Sequence, residues 1–299
     1  MNKNSVIIYG AGYQGGKCFD VLSHENVHVE AFCDRSAKTI NRYYGCQVLS
    51  FPEALEMYSE LPFVICIDDK EANNQVYEMV KKHGLEAYHN LKEFYQGNED
   101  INIQTLKCGK ACSFQIVPNF AKKGGIAYCF GIGFDYTFEQ EIAKKYGMSV
   151  WAFDPSPEVV KEMAARKDEG ITFIPYGLSD KDGKKAFHSP SLGFDYSELN
   201  APWAKGEMIE LETRRLTSIM NELGHNHIDL LKLDIEGSEY SALPDIIESG
   251  IFPKQICIET HARVFEDSVS KIRWVKSFLN NNGYSMVYGG VQEQTYVIA

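Results

Sequence analysis

Two glycine-rich turns, each set between an apolar strand and a helix, constrain this 299-residue chain more than any other feature. The first is Val6-Ile7-Ile8-Tyr9-Gly10-Ala11-Gly12-Tyr13-Gln14-Gly15. The second is Ile126-Ala127-Tyr128-Cys129-Phe130-Gly131-Ile132-Gly133-Phe134-Asp135. Glycine in such a turn lets backbone approach a ligand closely, and the following helix aims free N–H groups at it. Two such modules in tandem predict an α/β chain of two doubly wound, Rossmann-like domains. They also point to an enzyme rather than a plain scaffold.

The bulk composition narrows the partners. The net charge of −11 argues against broad phosphate-backbone binding, so no nucleic acid is expected. A local basic pocket for one anionic ligand stays compatible with it. No apolar run approaches the ~18 residues of a membrane span. The N-terminus runs into a strand with no signal-peptide pattern, and the eight cysteines are scattered, so a reducing, cytoplasmic location is expected. Cys108 and Cys112 lie close together, but no second pair or nearby His completes a zinc site, and a structural role is favoured.

Residues 4–95 read as β-α-β-α-β-α. Strands are predicted at 6–9, 27–33 and 63–67, with helices at 15–23, 51–58 and 71–83. The polar stretch 96–100 marks a boundary. This gives a first domain over 1–97, a weakly periodic adapter over 98–123, and a second domain over 124–299. In the second, strands are predicted at 126–130, 149–153, 172–175, 229–233, 255–259 and 284–288. Helices are predicted at 138–146, 157–165, 216–223, 240–248 and 269–280. Residues 259–260 and 294–298 fit late antiparallel strands.

Gly10, Gly12 and Gly15 have the spacing and context of a dinucleotide-binding turn. Asp34 ends the second strand, where a carboxylate could hold ribose hydroxyls. The strings IIYGAGYQGG, AFCD and FVICIDD resemble the small N-terminal domain of bacterial sugar O-acyltransferases and related carbohydrate enzymes. The resemblance implies nucleotide-sugar binding through Gly12, Gly15 and Asp34, with Asp68 as a weaker contact. A module kept only for packing is the other reading.

The second half carries five strings in order: FGIGFDYTFE, VWAFDPSP, IPYGLSDKDG, LLKLDIEGSEYSAL and ICIETH. Together they resemble the FkbM-type methyltransferases that use S-adenosylmethionine. The resemblance covers nearly all of residues 124–299. It implies a class I methyltransferase fold with a seven-stranded mixed sheet. In that fold Gly131 and Gly133 let backbone approach the methionine part of the cofactor. Asp154 accepts from both ribose hydroxyls, Phe153 and Pro155 flank the adenine, and Gly177 and Leu178 line its pocket. The chain departs from the family pattern at Cys129, where an acidic residue is usual, and at Asp135, where a third glycine is usual. The Asp135 carboxylate could meet the cofactor ammonium group or cap a helix. Glu139 is a further candidate contact.

The reaction implied is methyl transfer from a sulfonium to a nucleophile, most readily a hydroxyl. Orientation does most of the work, and a base helps to remove the proton. Asp234, Glu236, Glu259 and His261 are the candidates, at the ends of two strands expected to be neighbours. A carboxylate cluster could hold Mg²⁺, but metal-free chemistry is the favoured expectation. The bland readings are these: Asp234 as a strand-end cap, Glu239 as a solvated helix residue, and Lys232 as a snorkelling or ion-paired residue. His225 and His227 read as loop residues, and Arg214-Arg215 as a surface pair. Phe187, Phe194, Tyr196 and Trp203 fall in an insert that serves as a substrate lid or as loop packing.

The combined expectation is a methyltransferase acting on a small-molecule acceptor, a sugar or nucleotide sugar. Self-association as a homo-oligomer stays open. A nicotinamide-dependent oxidoreductase is weakened by the better match of the second half to a methyltransferase. A non-catalytic nucleotide- or nucleotide-sugar-binding protein finds support in the departures at Cys129 and Asp135.

Overall fold

The computed structural model describes residues 4–97, 99–190, 193, 195–290 and 292–298. The chain divides into two compact units. One is Met1–Asn98 with Phe265–Trp274; the other is Glu99–Val264 with Val275–Ala299.

In the first unit the elements run β1 (Ser5–Tyr9), α1 (Tyr13–His24), β2 (His28–Cys33), β3 (Arg42–Tyr43), β4 (Cys46–Leu49), α2 (Phe51–Met57), β5 (Phe63–Ile65), α3 (Lys70–Lys82), β6 (Ala87–Tyr88) and α4 (Leu91–Gln96). The strands form one sheet in the order β3-β4-β2-β1-β5-β6. It is parallel except where β3 turns back on β4. Helix starts follow local chemistry. Ser50 and Glu53 form a capping box at α2, and the Asp69 carboxylate accepts from Ala72 N at α3. The short strands β3, β4 and β6 escape the sequence reading, because two to four residues carry no measurable period.

The second unit continues with the hairpin β7 (Leu106–Cys108) and β8 (Phe114–Ile116), then β9 (Ile126–Phe130), α5 (Thr137–Tyr146), β10 (Ser149–Phe153), α6 (Pro157–Ala164) and β11 (Ile171–Ile174). There follow β12 (Gly177–Leu178), β13 (Gly183–His188), β14 (Met208–Arg214), α7 (Leu216–Leu223), β15 (Leu230–Leu233), α8 (Glu239–Glu248), β16 (Gln255–Glu259), α9 (Ser268–Asn281), β17 (Tyr284–Gly289) and β18 (Glu293–Ile298). The main sheet has seven strands in the order β11-β10-β9-β15-β16-β18-β17, and β18 runs antiparallel to both neighbours. This is a mixed α/β sheet of the kind expected. Central β9 and β15 are buried on both faces, which is why they read as apolar runs. The strand order reverses between them, so a crevice opens at their carboxyl ends.

Several expectations need correction. Residues 99–123 are not an adapter but part of the second unit: Cys108, Phe114 and Ile116 are 0–2% exposed in its core. The insert after Asp182 is not mere loop, since β13 and β14 pair antiparallel over six residues each. Glu259 is the last residue of β16 and pairs antiparallel with Glu293 of β18, so it closes a central strand instead of starting a separate late one. Among the described residues, no helix is long and apolar enough to cross a membrane.

Candidate active site

The crevice at the carboxyl ends of β9, β10, β15 and β16 encloses a cavity of about 400 Å³. Its floor begins at Gly131. This residue has φ +70, and a Cβ there would lie 1.6 Å from the Asp234 carbonyl oxygen. No side chain can be accommodated, so the two central strands close on each other only with glycine at this position. Gly133, at φ +54, continues the turn and donates its N–H to Asp154 Oδ2 at 3.0 Å.

Asp154 ends β10 and is 4% exposed. Its other oxygen accepts from Ser156 N at 2.9 Å. Burial raises its carboxyl above the ordinary value, against the pull of these hydrogen bonds. Pro155, Gly177 and Leu178 line the cavity beside it. Phe153 does not. It is fully buried, stacked on Phe130 at 4.3 Å, because alternation along β10 turns it into the sheet's packing.

Asp135 borders the cavity but is already engaged. Oδ2 accepts from Ala111 N and Cys112 N at 2.7 and 3.0 Å, and Oδ1 accepts from Thr137 N at 3.2 Å. It clamps the loop between β7 and β8 to the start of α5. Cys129 is fully buried in the sheet core. Glu139 does not reach the cavity; it is fully buried and faces Lys232 Nζ at 3.6 Å.

Lys232 is ion-paired, as one reading of the sequence had it, but it does not snorkel. It has no exposure at all. Its Nζ donates to Gly131 O at 2.7 Å and lies 3.4 Å from Asp234 Oδ2. Burial opposes its charge, yet Cys112, Glu139 and Asp234 hold its pKa well above the usual lysine value.

The catalytic candidates converge. His261 Nε2 lies 3.4 Å from Glu236, 3.6 Å from Glu259 and 3.7 Å from Asp234. Its Nδ1 meets Glu239 Oε1 at 3.0 Å. Glu239 is therefore no solvated helix residue. It is fully buried and accepts from Ile235 N and Gly237 N at 2.8 and 2.9 Å, tying the 235–237 turn to the start of α8. Burial works against protonation of His261, but Glu236, Glu239 and Glu259 outweigh it and raise its pKa well above 6.5. Burial, and Asp234 after it, push Glu259 up to about 8. Glu236 and His261 both hold positive φ, +54 and +39, an unusual backbone for residues with a Cβ.

The insert supplies one residue that the sequence does not single out, and several that it does. Asp195 lines the cavity, and burial with Glu236 and Asp234 raises it to about 6. Phe187 and Tyr196 also line it, while Trp203 stands 5.9 Å from the His261 ring with Arg263 over its face at 4.2 Å. Phe194 lies outside the described residues. Cys112, read as structural, lines the cavity with Sγ 3.2 Å from Asp234 Oδ2. His225 instead meets the Tyr128 hydroxyl at 2.6 Å, and Arg215 pairs with Asp245, so neither serves the cavity.

In the first unit, the glycine turn is built for close approach: a Cβ on Gly15 would stand 1.9 Å from Gly10 O. Gly12 is exposed, and its carbonyl accepts from Tyr43 OH at 3.1 Å. Asp34 is partly committed, with Oδ2 accepting from Ala11 N at 2.8 Å and Oδ1 from Ser36 N at 2.7 Å. Asp68 is exposed.

Among known proteins, the chain is similar to the probable methyltransferase-like protein 24 of Homo sapiens, 28% identical over 151 residues, covering 50% of this chain and 36% of that protein. The Rattus norvegicus counterpart is 26% identical over 136 residues, covering 45% of this chain and 32% of it. The chain thus spans about a third of the length of these curated relatives. Among solved structures, the fibrillarin pre-rRNA processing protein of Methanococcus jannaschii covers 62% of this chain and 70% of its own, at 13% identity and a TM-score of 0.38, too low to bear on function. Residues 122–286, more than half of the chain, match the methyltransferase FkbM domain, and the chain belongs to that family.

Proposed function

We propose that the second unit is an S-adenosylmethionine-dependent O-methyltransferase acting on a neutral, hydroxyl-bearing acceptor, a carbohydrate by preference. One observation carries the cofactor assignment: the buried Asp154 carboxylate is held beside the Gly131–Gly133 turn by the Gly133 N–H. Ribose hydroxyls donate to Asp154, the glycine turn meets the methionine part, and Pro155, Gly177 and Leu178 pack on the adenine. Asp135 already accepts three backbone N–H groups and so shapes the loop between β7 and β8 at the border of the cavity.

The acceptor class rests on charge. Asp135, Asp154, Asp195, Asp234, Glu236 and Glu259 line the cavity, against Arg263 and His261. Such a wall accepts hydrogen bonds from hydroxyls and repels phosphates. A nucleotide-linked sugar fits only with its diphosphate held outside. For the first unit, taken by itself, the reading is that the turn around Gly10, Gly12 and Gly15 is a separate site for a nucleotide diphosphate at the start of α1.

In the reaction, the acceptor oxygen displaces the sulfonium and forms the O–CH₃ bond. The S–CH₃ bond breaks, leaving S-adenosylhomocysteine, and the hydroxyl proton passes to the carboxylate cluster around His261. Because His261 is protonated in the absence of another cation, a carboxylate is the base.

Calorimetric titration with S-adenosylmethionine tests this reading. Wild type is expected to bind with Kd in the micromolar range, weakened at least about tenfold in Asp154→Ala. Transfer of labelled methyl to neutral glycosides but not to sugar phosphates is expected to follow. No binding at about 1 mM cofactor removes the assignment.

A further inference from the structure

The cluster around His261 has the geometry of a cation site. Asp234, Glu259 and His261 each present a ligand atom, and these atoms all lie within 4.8 Å of one another. Six ligands at about 2.1 Å from one cation stand about 3 Å apart when adjacent and about 4.2 Å when opposite. His261 Nε2, at 3.6 Å from Glu259 and 3.7 Å from Asp234, falls within that span.

The histidine separates this from a plain acidic patch. His261 is 2% exposed, and Glu239 Oε1 lies 3.0 Å from its Nδ1. That contact keeps a proton on Nδ1 and turns Nε2 into the cavity. A buried carboxylate behind an imidazole is the arrangement that orients metal-bound histidines. Nε2 looks onto oxygens of Glu236, Glu259 and Asp234 at 3.4–3.7 Å. The nearest, Glu236 Oε2, is buried with no hydrogen-bond partner. Nε2 must therefore carry either a second proton or a lone pair directed at a cation. Lys232 meets only the far oxygen of Asp234 and is otherwise spent on Gly131 O and Glu139.

We propose that Asp234, Glu259 and His261 bind one oxygen-preferring divalent cation, Mg²⁺ or Mn²⁺, with Glu236 at its border. Two carboxylates and one imidazole leave positions open for water or an acceptor oxygen, as such ions require. Cation binding displaces the Nε2 proton, so the site trades a proton for a metal. A hydroxyl bound to the cation becomes more acidic, which serves the reaction proposed above. The sequence alone favours metal-free chemistry; the geometry points the other way. The site uses no residue assigned to the methyl donor, so the two readings can fail separately.

Mn²⁺ titration of the full chain, followed by loss of the free-ion electron paramagnetic resonance signal, tests the site. One Mn²⁺ per chain is expected, with modulation from a coordinated nitrogen in the spin-echo spectrum. Affinity is expected to fall at least about tenfold in Glu259→Gln and in His261→Gln, each checked for folding by circular dichroism. Asp154→Asn, which weakens the methyl-donor site, is expected to keep its Mn²⁺ affinity. No uptake at about 1 mM Mn²⁺, or uptake without nitrogen modulation, overturns the proposal whether or not the variants fold. Loss of S-adenosylmethionine binding with Mn²⁺ binding intact removes the methyl-donor reading alone.

Discussion

Glu239 Oε1 and His261 Nδ1 meet at 3.0 Å, with both side chains closed to solvent. The carboxylate opens α8 and the imidazole follows β16, so the contact joins the ends of two neighbouring strand–helix units. The same carboxylate accepts from Ile235 N and Gly237 N, which bracket Glu236 at its positive φ. One buried side chain thus sets both the imidazole tautomer and the turn that carries Glu236 to the cavity.

Glu239→Gln is expected to disturb both. A carboxamide offers one acceptor oxygen where the carboxylate offers two, and it carries no charge for the imidazole. Long-range ¹H–¹⁵N spectra, recorded at a pH where His261 is neutral, should show it losing its Nδ1–H preference, with stability down by roughly 1–3 kcal/mol. S-adenosylmethionine affinity should stay within about twofold, because Glu239 does not line the cavity. An unchanged tautomer would mean that Glu239 is a structural residue only.

Lys232→Met is expected to cost about 3–5 kcal/mol in urea unfolding. The loss leaves Glu139 fully buried without its counter-charge and Gly131 O without its donor. Adding Glu139→Gln should recover most of that loss, since a neutral pair needs no compensation. If the double variant is as unstable as the single one, the ion pair is not what Lys232 supplies.

Glu239 also marks where the sequence stops being legible. Ile126–Phe130, Ser149–Phe153 and Gln255–Glu259 can be read to the residue, because strands buried on both faces appear as short apolar runs bounded by turn signals. Asp234, Glu236, Glu259 and His261 could be grouped because strand ends at a switch point face one crevice. Glu239 could not, because a charge in the first turn of a helix looks the same whether water or a buried imidazole receives it. Phe153 was misplaced by a different limit: position beside Asp154 says nothing of the face, and alternation sends neighbours to opposite sides. Asp195 escaped because its insert carries no periodic pattern to place it.

Asp195 should make stability depend on pH. Its carboxyl is raised by burial and by Glu236 and Asp234 from 3.8 to about 6, so the folded state holds a proton there that the unfolded state releases. The resulting stabilisation is full below 3.8 and lost as pH rises through about 6. Asp195→Asn escapes that loss. Its Tm relative to wild type should therefore climb across this window and level off above pH 7, by about 2 °C once solvent screening of this partly exposed group is discounted. A Tm difference that is flat with pH, measured in chelator, would show that Asp195 titrates as an ordinary surface acid.

Gly131 and Gly124 separate backbone strain from close approach. Both have positive φ, +70 and +76. A Cβ on Gly124 meets nothing within 4 Å, whereas one on Gly131 falls 1.6 Å from Asp234 O. Gly124→Ala should therefore pay only the left-handed backbone term, about 1 kcal/mol. Gly131→Ala must also push β9 away from β15, and a loss above about 3 kcal/mol is expected. The displacement would move the Asp234 carbonyl and the cavity floor together, so S-adenosylmethionine binding should vanish in the Gly131 variant and persist in the Gly124 variant. Equal losses in urea unfolding would mean that the strands separate freely at their ends, and that the glycine turn is chosen for its φ rather than for the contact with Asp234.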